Sequence, residues 1–125
     1  AIDRLYQRGV EQMSQGELPA ALATFTQIVQ RKPAFAEGWN KRATVLDLMD
    51  QDEASLRDCD EVLKRNRHHF GALSGMAQIH LRRGDPVRAL DAYRRALEVN
   101  PNLDGGPEML KFLQDAVRAR GGQRT

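Results

Sequence analysis

The chain repeats itself every 34 residues, and no other feature restricts its fold as strongly. Leu5, Trp39 and Leu73 stand one period apart. So do Gly9, Ala43 and Ala77, all small, and Ala21, Ser55 and Ala89, again small. Phe25, Cys59 and Tyr93 follow the same step, and Pro33, Arg67 and Pro101 close each unit. A unit of this length cannot bury its apolar face alone and has to stack on its neighbours. Three units and a remainder occupy the 125 residues, about the minimum of three for a stable array.

Each unit reads as two helices. In the first, Leu5, Gly9 and Gln12 share a face, Gly16 breaks the chain, and Pro19 suits the first turn of a second helix. Leu22, Phe25, Ile28 and Val29 form that helix's apolar stripe, and Pro33 stops it. In the third unit Leu73, Met76, Ala77 and His80 form the first stripe and Gly84 ends it. Asp85 is a suitable N-cap there and Pro86 suits the first helical position. The second unit has no glycine at the break, and Asp50-Gln51-Asp52 is expected to turn and cap instead. The small residues let helices approach to about 8–10 Å. After Leu103 a half unit follows, with Leu110, Leu113, Ala116 and Val117 on one side of a helix that covers the apolar end of the array.

This frame resembles the tetratricopeptide repeat, with its Trp-x-x-Leu-Gly-x-x-Tyr, Ala-x-x-x-Phe and Pro pattern on a 34-residue period. The second unit departs from it at Cys59 and Arg67. The resemblance implies an all-α fold: a right-handed superhelical solenoid of three helix-turn-helix units plus a C-terminal capping helix. It places a single domain at 1–120, with repeats at about 2–35, 36–69 and 70–103, a cap at about 107–119 and a flexible tail at 121–125. The stretches from Phe35 to Thr44 and from His69 to Gly75 resemble small bacterial tetratricopeptide proteins that carry an N-terminal export segment, which implies a periplasmic or envelope location.

The residues argue against catalysis. Cys59 sits on a core stripe with Leu56, Val62 and Leu63, where a thiol is structural. His68, His69 and His80 lack the matched spacing of a metal site, so no metal and no cofactor are expected. Asp58, Asp60 and Glu61 are expected on solvated helix faces. No glycine-rich phosphate loop follows a strand. Lys+Arg number 19 against 17 Asp+Glu, a balance unlike that of a dedicated nucleic-acid binder. Residues 1–62 hold seven Lys/Arg and eleven Asp/Glu, and residues 63–125 twelve and six. No apolar run is long enough to insert into a membrane.

The resemblance implies that function lies on a concave groove lined by the first helix of each repeat. Its candidate residues are Tyr6, Val10 and Met13, then Asn40, Lys41 and Thr44, then Ser74, Gln78, Leu81 and Arg82. The cap helix adds Glu108, Met109 and Phe112. Asp3, Glu37, Asp47 and Glu108 on that surface disfavour single-stranded RNA. Some family members hold chaperone C-termini in a two-carboxylate clamp of Lys, Asn and Arg. Its positions fall here on Tyr6, Val10, Lys41, Gly71 and Gly75, none of which matches. The expected function is a non-catalytic module that binds a protein or peptide segment. The alternative is a structural role in which the chain forms a homo-oligomer without a groove ligand. Trp39 is expected to bridge the first two repeats as a core residue, with a truncation cost of about 3–5 kcal/mol.

Overall fold

A computed structural model describes residues 2–122. These form seven α-helices and, among the described residues, no strand: α1 (Ile2–Ser14), α2 (Leu18–Arg31), α3 (Ala36–Leu48), α4 (Asp52–Arg65), α5 (Phe70–Arg82), α6 (Pro86–Val99) and α7 (Gly106–Gly122). The fold is an all-α helical repeat. Two compact units emerge, one ending at Arg67 and the other starting at His68. No described helix is long and apolar enough to cross a membrane. Helix α7 extends past the expected cap: Gly121 and Gly122 are helical, and the rest of the expected tail, 123–125, lies outside the described residues.

The turns within the repeats show why the period includes a glycine. Gly16 and Gly84 adopt φ of 76° and 77°, the left-handed region that side chains disfavour. Asp50 occupies the same register at φ 61°. The second unit therefore turns as expected but does not cap as expected: the N-cap of α4 is Gln51, whose side chain makes no capping hydrogen bond. In α6 the Asp85 side chain does cap, accepting from the Arg88 amide at 3.1 Å, and Pro86 follows it. Asp50→Gly should raise stability by about 0.5–1 kcal/mol, because it relieves an L residue held at positive φ. A shift of the urea midpoint to higher concentration at unchanged slope checks this.

In the first unit, Leu5, Ala21, Phe25, Ile28 and Val45 form one buried cluster. Gly9 is required by contact rather than by φ: a Cβ there would lie 2.7 Å from the Phe25 ring. Ser55 repeats the small-residue position with a polar group, and its hydroxyl donates to the Ala43 carbonyl at 2.7 Å, so nothing is left unsatisfied by its burial.

Two residues of this unit depart from expectation. Trp39 is half-buried and absent from the core. Its Nε1 donates to the Pro33 carbonyl at 2.8 Å, while the guanidinium carbons of Arg42 and Arg65 stand 5.1 and 4.8 Å from its ring centre. Two cations over one indole keep it at the surface, where cation–π attraction replaces core burial. Asp58, expected on a solvated face, is only 4% exposed and holds Arg42 through both oxygens, at 2.8 and 2.9 Å. A buried carboxylate needs such a partner.

Cys59 is buried as expected. Burial, then the nearby carboxylates of Asp58, Asp60 and Asp47, push its thiol up to about 12. The folded pKa is raised, so this group's contribution to stability is complete below the unfolded thiol's value and is lost as pH rises toward 12. Iodoacetamide at pH 8 should label Cys59 at least about tenfold more slowly in the native protein than in urea, because only the thiolate reacts. Equal rates would place the thiol at the surface.

In the second unit, Ala77, Ala89, Leu90, Ala92, Tyr93 and Leu113 pack together. Helix α7 seats closely on α6 because Gly106 lacks a side chain: a Cβ there would approach Leu97 to 3.1 Å.

Candidate functional site

The second unit contains a cleft. The short turn at Gly84 folds α6 back along α5, and α7 then packs on α6 without any close backbone approach to α5. The gap between α5 and α7 has a volume of about 420 Å³, within the roughly 300–1,000 Å³ of small-ligand pockets.

One face of α5 supplies Phe70, Ser74, Ala77, Gln78 and Leu81. Their spacing of four, seven, eight and eleven residues from Phe70 puts them on a single helical stripe about 16 Å long. Tyr93 of α6 and Met109 and Leu113 of α7 add apolar wall. Leu103, Asp104 and Gly105 close one end, and Gly105 takes φ of 73° where the loop redirects into α7. The site is thus an apolar trough with a hydroxyl, an amide and one carboxylate along its rim.

Three of the groove residues expected from the sequence, Ser74, Gln78 and Leu81, line this cleft together with Met109. Arg82 is exposed and is not among the lining residues. In the first unit the expected residues are placed differently. Tyr6, Val10 and Met13 are half-buried and pack on the Phe25 cluster. Tyr6 meets Phe25 and Phe35 edge-on, with ring centres 6.2 and 5.9 Å apart. Burial and then the Glu37 carboxylate raise its phenol above the ordinary value. Asn40 and Lys41 are half-buried, and exposed Thr44 donates its hydroxyl to the Asn40 carbonyl at 3.1 Å.

Sequence reasoning did not assign Phe70, Tyr93, Leu103 or Asp104 to a site. Leu103 and Asp104 lie between helices, where no periodicity exists. Tyr93 was legible only as the aromatic of its repeat. His69, one of the histidines considered for metal, serves the fold instead. Its Nδ1 accepts the Ala72 amide at 3.1 Å and caps α5.

The tetratricopeptide repeat profile matches residues 71–103. A TPR repeat-containing protein of Rhizobium etli is 36% identical over 107 residues, which is 86% of this chain. The chain is built of tetratricopeptide repeats. It spans 51% of the length of that relative. Among solved structures, the first TPR of Spaghetti (RPAP3) bound to the HSP90 peptide SRMEEVD superposes with a TM-score of 0.87 at 20% identity, covering 94% of this chain and 93% of that one. The TPR2B domain of yeast Sti1, in its pHsp70 complex, gives 0.81 at 17% identity, covering 95% and 97%. At these identities the likeness is one of fold.

The clamp positions in this tetratricopeptide chain carry no cation on α5. Gly71 and Gly75 stand there, and a Cβ on Gly75 would have nothing within 4 Å. The missing side chain at Gly75 leaves open space beside Ser74.

Proposed function

We propose that this protein is a non-catalytic interaction module that binds a protein or peptide segment along the first helices of its repeats. The observation that carries this reading is the cleft of the second unit, where Ser74, Gln78 and Leu81 of α5 face an apolar trough. Two similar folds hold chaperone peptides, which supports a peptide as the class of partner. A chaperone tail is disfavoured as the partner, because the clamp's three cations are replaced by Tyr6, Gly71 and Gly75, and its two asparagines by Val10 and Lys41.

Lys41→Glu with Arg82→Glu tests the reading. The double variant should keep its helical signal and lose at most about 1 kcal/mol of stability, since Arg82 is exposed and Lys41 only half-buried, yet lose partner capture from an extract of the source cells. A second reading, self-association, has its own observation: Phe112 on α7 is 54% exposed, and Met109 is exposed beside it. It expects capture to survive the double variant and Phe112→Asp to lower the mass measured by light scattering. That pair of results would replace the first reading with the second.

A further inference from the structure

The charge around the cleft specifies a partner more narrowly. Asp104 is the one charged residue among those lining it, and no Lys or Arg lines it. Glu108 is exposed in the first turn of α7, next to the lining residue Met109, and Glu98 lies near the end of α6. The loop carrying Asp104 follows α6, which runs back along α5, so Asp104 lies at the Phe70 end of the trough.

No cation of this unit lines the cleft, although Arg94 and Arg95 of α6 lie one turn before Glu98. Arg82, Arg83 and Arg88 flank the opposite turn. Arg88 and Arg120 both face Asp85, at 3.0 and 3.6 Å. Arg118 pairs with Asp115, and Lys111 lies 3.7 Å from the same carboxylate. His69, at the acidic end, uses its Nδ1 as an acceptor for the α5 backbone and offers no proton from that nitrogen to the cleft. The trough is therefore lined mainly by apolar side chains, with Asp104 as its one charged lining residue.

Resting on the peptide-binding role proposed above, we infer that the cleft between α5 and α7 takes an apolar side chain of a peptide that carries a Lys or Arg beside it, with Asp104 meeting the cation. The apolar side chain lies on Tyr93, Met109 and Leu113, and burial there drives binding. Ser74 and Gln78 are placed to hydrogen-bond the peptide backbone. The carboxylate adds sign selectivity, since like charge at a rim repels the wrong partner while opposite charge speeds the right one.

Three blocked hexapeptides test this on the full chain, read by amide chemical shifts: GLRMKG, its acidic counterpart GLEMEG, and GSRSKG without the apolar side chains. GLRMKG is expected to move the amides of Ser74, Gln78, Gly105 and Met109, and to bind at least about fivefold tighter than either of the others. Asp104→Lys, an exposed change that leaves the fold intact, is expected to reverse the order of GLRMKG and GLEMEG. Tighter or equal binding of GLEMEG at the same amides overturns the charge assignment and leaves the peptide-binding role standing. Equal binding of GSRSKG overturns the apolar side chain as the anchor. If no peptide moves these amides, the inference is wrong, and the Lys41 and Arg82 capture experiment alone decides the broader role. Shifts at these amides on dilution without peptide would assign the cleft to a second copy and overturn the inference.

Discussion

Asp58→Ala is expected to lower the unfolding free energy by about 2–4 kcal/mol. Removing one member of a buried ion pair strands the other, a loss of about 3–5 kcal/mol in a dry site. Here Arg42 keeps 22% of its side-chain surface in water and stays stacked near Trp39, which reduces the penalty. One period further on, the third repeat shows an apolar solution to the same contact, with Met76 and Ala92 at the positions of Arg42 and Asp58. The double variant Arg42→Met, Asp58→Ala imports that solution. It should lie within about 1 kcal/mol of the parent, because replacing both partners by apolar groups is often neutral or better. The sole tryptophan, Trp39, lies in the same unit and reports both unfolding curves. If the single variant costs no more than the double, Asp58 is not a buried charge dependent on Arg42.

Phe25→Ala should cost about 3–5 kcal/mol, as the removal of a fully buried aromatic does. Phe25 is 0% exposed, with Tyr6 against its edge and the backbone of α1 against its face at Gly9. The Gly9 contact predicts a coupling that burial alone does not. Gly9→Ala forces a methyl to within 2.7 Å of the ring, an overpacking worth about 1–3 kcal/mol. Placed in a Phe25→Leu background, the same methyl should cost markedly less, since the smaller side chain vacates the space. Strict additivity in urea unfolding would show that α1 and α2 shift apart freely and that Gly9 is small for another reason.

The 34-residue period, together with the apolar stripes and the Gly and Pro breaks inside each unit, made the helix pairs and the cap legible, and it located the positions that have to be small. These positions stay small because the second helix presses closely there, with the Phe25 ring on Gly9 and the Ser55 hydroxyl on the Ala43 carbonyl, and recurrence is visible in one dimension. Cys59 was legible for the same reason: it occupies the register of Phe25 and Tyr93, so its burial follows from the stripe it belongs to.

Only the tertiary structure decided the rest. Asp58 and Asp60 look alike in the sequence, and the partner that allows one of them to be buried is Arg42, 16 residues away on another helix. Trp39 occupies the register of Leu5 and Leu73, yet two arginines and the Pro33 carbonyl hold it at the surface. Periodicity shows which face of a helix turns inward, not which side chains meet there. The cleft escapes the sequence for a stronger reason. It is the space left where α7 rests on α6 and not on α5, closed at one end by a loop that belongs to no repeat, and a gap between elements leaves no periodic signal in the residues that surround it.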